Sequence, residues 1–77
     1  MLLTTEEQFI TGRAMIVYGG GFVKALGEAY QRADIINRAR IEGAFSDYIK
    51  EYGPSSTFYE ILHCVYMREQ PKLKNKQ

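Results

Sequence analysis

A chain of 77 residues has room for one domain, and its single cysteine excludes an intrachain disulfide. One histidine and one cysteine, the adjacent His63 and Cys64, cannot supply a structural zinc site, so we expect no metal and no cofactor. The composition, 45% apolar and 25% charged, is that of a globular protein, and no apolar run reaches the ~18–20 residues of a membrane span.

The small size also bears on partners and on cellular setting. A domain of this size buries only about 60–65% of the surface that its unfolded chain exposes, so we expect a thin core. With disulfides and metals excluded, a homo-oligomer or a protein partner remains as a source of further buried surface. Glu6 and Glu7 lie where a signal peptide would be basic, and an unpaired thiol suits a reducing compartment. These features predict a cytoplasmic protein.

The charges are unevenly distributed along the chain. Residues 1–67 contain six basic and eight acidic side chains, a net charge of −2, whereas residues 68–77 contain four basic and one acidic, a net of +3. Nucleic-acid-binding domains usually carry a basic face. The pattern therefore disfavours nucleic acid as a partner of the folded part.

The first element is predicted as a helix that begins after Thr4. Thr4 and Glu7 have the spacing of a capping box, in which each side chain bonds the other residue's backbone N–H. The run Met15-Ile16-Val17-Tyr18 also suits a short strand. Because no second strand-like run is present to pair with it, we favour a helix.

Two amphipathic helices are predicted next. The first begins near Gly21, and its apolar stripe consists of Phe22, Ala25, Leu26, Ala29, Tyr30 and Ala33. Asp34 is the predicted N-cap of the second, a single helix over residues 35–52 with Arg38 spaced to pair with Asp34 and Glu42. Gly53 followed by Pro54 should end it.

The last helix is predicted to begin at a capping box of Thr57 and Glu60, with Ser55 and Ser56 as alternative caps. Its apolar face consists of Phe58, Ile61, Leu62, Val65 and Tyr66. Gln70-Pro71 should end it, which gives a helical domain over residues 1–70 and a disordered basic tail over residues 71–77. The prediction is an all-α, compact bundle of three to four short helices with a Gly-rich bend after the first.

Gly19, Gly20 and Gly21 admit three interpretations. Their N–H groups precede a helix and can attract an anion such as a nucleotide phosphate, although the P-loop and dinucleotide-binding motifs are absent. They can instead form a bend between helices, which we favour. Gly12, Gly20 and Gly27 can also fall near one face and let two helices pack closely.

The sequence assembles no catalytic group, and we expect a protein that is not an enzyme. His63 and Cys64 are adjacent, so on a helix they point about 100° apart and cannot act as a couple. We expect Cys64 to be a small buried apolar residue.

Ten aromatic residues offer a more distinctive feature. Tyr48, Tyr52, Tyr59 and Tyr66 lie on neighbouring predicted helices, where they form either a tyrosine-rich rim of the core or a protein-binding surface centred on Tyr52 and Tyr59.

Basic residues provide an alternative function as a small nucleic-acid-associated regulator. The residues concerned are Arg38, Arg40, Lys72, Lys74 and Lys76. The helix that carries the arginines is rich in Ile, Phe and Tyr rather than in outward basic residues, so we expect at most salt-dependent contacts from the tail.

The segment from Phe9 to Tyr52 resembles a pattern found in small proteins encoded by bacteriophages and prophages. The pattern reads GGxFV-x-x-LGEA, then AD-x-x-N, then AF-x-x-Y. It is matched by Gly20-Gly21-Phe22-Val23, Leu26-Gly27-Glu28-Ala29, Ala33-Asp34, Asn37, Ala44-Phe45 and Tyr48. The resemblance covers just over half of the chain and implies a mobile-element origin. It carries no activity; it implies a non-enzymatic protein that binds a host protein, for example as an inhibitor of host defence.

Overall fold

The computed structural model describes residues 3–74, and the side chains of residues 3–69. Over this range the chain is helical, with no strand, which confirms the all-α prediction. Five helices are present rather than three to four: α1 (Thr5–Tyr18), α2 (Gly21–Arg32), α3 (Ile35–Ala44), α4 (Ser46–Tyr52) and α5 (Thr57–Lys74).

α1 begins at the predicted capping box. The Thr4 N–H donates to Glu7 Oε1 at 2.9 Å, and the Glu7 N–H donates to Thr4 Oγ1 at 3.1 Å. The β-prone residues 15–18 continue the helix without interruption. With no strand among the described residues to pair with, the helix is the conformation that satisfies their backbone groups.

The predicted bend between α1 and α2 is confirmed at Gly19 and Gly20. Both residues have negative φ, −84° and −75°, so the turn does not require a left-handed backbone. At Gly19 the requirement is space: a Cβ would overlap the Val23 side chain and lie 2.5 Å from the Met15 carbonyl oxygen. Gly20 faces open space and serves as the N-cap of α2.

α1 and α2 pack against each other backbone to backbone. A Cβ at Gly27 would lie 2.7 Å from both the Gly12 carbonyl oxygen and Met15 Cβ, and a Cβ at Gly12 would overlap the Gln31 side chain. Such a close approach of two helices is possible only between glycines. Two of the three glycines proposed for close packing thus lie in this contact, and Gly20 does not.

This contact sets which face of α2 is buried. Val23, Gly27 and Tyr30 face the interior, whereas Phe22 is 60% exposed. The predicted stripe through Phe22, Ala25 and Ala29 was therefore rotated from the true one. Hydrophobic periodicity does not take account of Gly27. Because Gly27 has no side chain, α1 can pack closely against the face of α2 on which it lies.

The apolar core lies where α1, α2, α4 and α5 meet. Its buried members are Ala14, Met15, Val23 and Tyr52, and the partly buried Leu26, Tyr48, Ile49, Phe58 and Leu62 pack around them. The Tyr52 and Phe58 rings stack with centroids 5.3 Å apart and join α4 to α5. Aromatic rings thus supply much of the buried volume.

The predicted helix over residues 35–52 is wrong in one respect, because it breaks at Phe45. Phe45 has φ −120° and ψ 40°, outside helical geometry, and it separates α3 from α4. Its ring packs 5.8 Å from the Phe22 ring of α2. The break lets α4 direct Tyr52 into the core while α3 lies elsewhere, a tertiary requirement that the local pattern does not contain.

α4 ends at Tyr52 before Gly53, as predicted. The cap of α5 is the alternative Ser56 rather than Thr57, since the Tyr59 N–H donates to Ser56 Oγ at 3.1 Å. α5 then continues to Lys74, so the prediction that Gln70-Pro71 ends the helix is wrong. The fixed φ of proline is compatible with a helix, but an interior proline removes one N–H donor and its ring crowds the carbonyl group four residues earlier. The rest of the prediction for residues 71–77, a disordered tail, concerns side chains and residues that lie outside the described part of the chain.

Within residues 3–74, none of the helices has the length and apolar character needed to cross a bilayer.

We expect Gly27→Ala to lower the free energy of unfolding by about 1–3 kcal/mol, because the new methyl group forces α1 and α2 apart. Gly43→Ala is the matched control. Gly43 is helical with open space around its Cβ position, so alanine there should raise the free energy of unfolding by about 0.5–1 kcal/mol. Urea unfolding of both variants measures the difference. Equal effects at the two positions would contradict the close contact.

We expect Gly20→Asp to stabilise the protein by about 0.5–1 kcal/mol through a new cap at the N-terminus of α2. Asp34 caps α3 from φ −72° and ψ 177°, nearly the conformation of Gly20 at −75° and −171°. Gly19→Ala, one residue earlier, should destabilise because its methyl group has no space. Thermal unfolding of the pair tests this, and stabilisation by Gly19→Ala would contradict it.

Candidate functional site

The four tyrosines proposed as a binding surface lie mostly inside the protein. Tyr52 is 7% exposed and Tyr59 8% exposed, while Tyr48 and Tyr66 are half-buried. Burial raises the pKa of both Tyr52 and Tyr59. Two buried rings offer little area to a partner, so a surface centred on Tyr52 and Tyr59 does not form in this fold. Tyr48, Tyr52 and Tyr59 form core and rim, and Tyr66 lines a concave surface between α1 and α5.

The large apolar side chains that the fold leaves exposed are different ones. They are Phe9, Val17, Tyr18, Phe22, Ile35, Ile36, Ile61, Val65 and Met67. Three of them, Phe9, Val17 and Val65, line one concave surface of about 230 Å³. We call this surface the α1–α5 groove; its apolar lining is Phe9, Ile10, Val17, Leu62, Val65 and Tyr66, with Arg13 and Glu69 as its charged residues.

The groove exists because α5 has a wider apolar face than its neighbours cover. The predicted face included Ile61 and Val65, yet these are 45% and 41% exposed, while Tyr59 is buried. On the other wall, Phe9, Arg13 and Val17 recur every four residues along α1 and face outward. The ring centroids of Phe9 and Tyr66 lie 5.8 Å apart, so the two walls of the groove meet at these side chains.

Sequence reasoning missed this surface, although a signal for it was present. The residues of α1 are apolar on more than one face: Ile10, Ala14 and Met15 are buried, and Phe9 and Val17 add a second stripe. A helix with two apolar stripes needs a neighbour on each of them. Among the described residues, α5 covers the second stripe only in part.

A buried polar cluster joins α1, α2 and α3. The Tyr30 hydroxyl donates to Glu42 Oε2 at 2.5 Å, and Gln8 Nε2 donates to the Tyr30 carbonyl oxygen at 2.7 Å. Arg38 Nη1 donates to Gln8 Oε1 at 2.7 Å. Arg38 and Glu42 are spaced to pair with each other, but they hydrogen-bond different partners. Arg38 donates to Gln8, and Glu42 accepts from Tyr30. Neither Tyr30 nor Glu42 was recognised from the sequence as part of a polar cluster.

The chemistry of this cluster is structural. Tyr30 is fully buried, and burial first, then the hydrogen bond to Glu42, raises the pKa of its phenol well above the ordinary range. A phenol held neutral and closed off from solvent cannot exchange protons with a substrate. What the cluster does is tie α3 to the α1–α2 pair by hydrogen bonds where few apolar contacts are made.

The glycine run presents backbone alone. Gly20 and Gly21 are exposed, and no described side chain comes within 4 Å of a Cβ built at either residue. Anion binding at Gly19, Gly20 and Gly21 would depend on backbone N–H groups, and it stays a prediction.

The residues proposed for nucleic acid are not brought together among the described residues. Arg38 is half-buried and bonded to Gln8, whereas Arg40 is exposed. The side chains of Lys72, Lys74 and Lys76 lie outside the described residues. Nucleic-acid binding therefore stays a prediction without a described surface.

His63 and Cys64 are separated in their surroundings. His63 stacks on Tyr59 with ring centroids 5.7 Å apart, and Cys64 is exposed. The prediction that Cys64 is buried is wrong. The inward face of α5 contains Tyr59, Leu62 and Tyr66, and Cys64 lies outside this face.

No protein-family model, curated protein or solved structure matches this chain.

We expect the protein to lose stability at alkaline pH, because folding keeps three phenols neutral. Burial raises the pKa of Tyr30, Tyr52 and Tyr59. The unfolded chain releases these protons near pH 10, so their contribution is complete below about pH 10 and is lost as the pH rises further.

Urea midpoints measured from about pH 8 to about pH 11.5 should fall over the upper part of this range. Tyr30→Phe removes one of the three groups and should make the fall shallower. Midpoints that stay constant in the wild-type protein would contradict the buried, neutral state of these tyrosines.

Proposed function

We propose that this chain acts by binding protein through the α1–α5 groove and performs no catalysis of its own. The observation that carries the proposal is the exposure of Phe9 (47%), Val17 (48%) and Val65 (41%) around one concave apolar surface. Exposed apolar surface that is contiguous and concave is typical of protein-binding sites, whereas scattered apolar residues are not.

The composition of the groove supports the same proposal. Aromatic side chains are enriched in the centres of protein interfaces, and Phe9 and Tyr66 lie together here. Arg13 and Glu69 supply polar groups at the same surface, as the rim of an interface requires. A helical face of a partner is the element that best fits a groove between two helices.

The resemblance to phage-encoded proteins bears on the biological setting of the proposal. Under that resemblance a host protein is a partner to test, and inhibition of the host protein is the effect to measure. The groove itself supports binding; its role as an inhibitory surface rests on the resemblance.

A matched pair of variants tests the proposed surface. Val65→Lys places a charge within the groove, and Ile36→Lys places the same charge on α3 at a side chain that is 64% exposed and outside the groove. Both positions are exposed, so both variants should unfold within about 0.5 kcal/mol of wild type.

The measurement is association, both with proteins of a bacterial lysate on immobilised chain and with free chain by sedimentation. We expect Val65→Lys to weaken association at least tenfold, because desolvating a lysine in an apolar contact costs well over about 1.4 kcal/mol. Ile36→Lys should leave it unchanged. Association that Val65→Lys does not weaken would overturn the proposal.

A further inference from the structure

We infer that the protein bound in the α1–α5 groove is a second copy of this chain, related by a two-fold axis. The inference rests on the proposed function, since it names the partner for the same surface. Three properties of the described residues carry it: the charges of the groove, the apolar surface it leaves uncovered, and the size of the face.

The charges make the groove complementary to itself. Arg13 lies on the α1 wall and Glu69 on the α5 wall, one cation and one anion. Across a two-fold axis, any contact from residue i to residue j of the other copy is made twice, with the roles exchanged. When two grooves face each other with Arg13 opposite the other copy's Glu69, this pair forms twice and like charges do not meet.

A second copy also supplies the apolar surface that the fold lacks. α5 has 18 residues, about 27 Å of helix. In the groove Val65 of α5 is 41% exposed, and Phe9 and Val17 of α1 are 47% and 48% exposed, so this face lacks an apolar neighbour. The same face of a second copy has the same residues, and burying the two together removes both surfaces from water.

The face is large enough for a weak, specific dimer. An interface of standard size buries about 800 Å² per partner. That is about one seventh of the chain's 5305 Å² of accessible surface. Over the described side chains the α1–α5 face is two helices wide and about 20 Å long, which approaches this area. We therefore expect a dissociation constant on the order of micromolar.

Charge exchange tests the arrangement directly, with sedimentation equilibrium as the measurement. The wild-type chain of 8.9 kDa should reach twice its mass at concentrations of about 100 μM and above. Arg13→Glu and Glu69→Arg each create two like-charge contacts per dimer and should weaken self-association by about tenfold or more. The double variant Arg13→Glu/Glu69→Arg should restore it.

Mixing the two single variants gives the decisive result. A heterodimer of the Arg13→Glu chain with the Glu69→Arg chain contains two opposite-charge pairs, so the mixture should associate where each variant alone does not. Glu28→Arg, at an exposed position of α2 outside the groove, is the control and should leave the dimer unchanged. If the double variant recovers and the mixture does not, the pair lies within one chain and the inference is overturned.

Two further outcomes separate this inference from the proposed function. A wild-type chain that stays monomeric at about 1 mM overturns the second copy as partner. If that monomer still binds another protein, and Val65→Lys abolishes the binding, the proposed function holds. A dimer that Val65→Lys does not weaken overturns the groove for both.

Discussion

The close approach of α1 and α2 at Gly12 and Gly27 is the constraint on which the remaining packing depends. A Cβ at Gly27 would lie 2.7 Å from the Gly12 carbonyl oxygen, so the two backbones meet with no side chain between them. This contact rotates α2 until Val23 and Tyr30 face inward. It also buries Gln8 beside the last turn of α2, where its amide nitrogen bonds the carbonyl oxygens of Tyr30 and Ala33.

The two sides of this helix pair are stabilised by different forces. On one side, Met15 and Val23 meet Tyr52, and the apolar core forms against α4 and α5. On the other side, α3 is held through Tyr30, Glu42 and Arg38 by hydrogen bonds. Buried polar groups are directional, so they fix the position of α3 although Ile35 and Ile36 point to solvent.

The α1–α5 groove follows from the small size of the domain, which leaves part of its apolar surface uncovered. The five helices within residues 3–74 are too few and too short to surround one another completely, and the apolar face of α5 extends beyond α1. A small domain gains stability from surface that a partner covers. The exposed Phe9, Val17 and Val65 connect the thin core to the proposed association. The thin core and the exposed groove are thus two consequences of the small size of the domain.

The sequence by itself determined the features that depend on neighbours along the chain. These are the helical class, the caps at Thr4 and Asp34, the bend at the glycines and the end of α4 before Gly53. Tertiary structure decided which faces are buried, because apolar stripes on α1, α2 and α5 were wider than the contacts available to them. The break at Phe45, the burial of Tyr59 and the exposure of Val65 each result from packing between helices distant in sequence. Periodicity reports that a face is apolar, and only the arrangement of helices shows whether another face covers it.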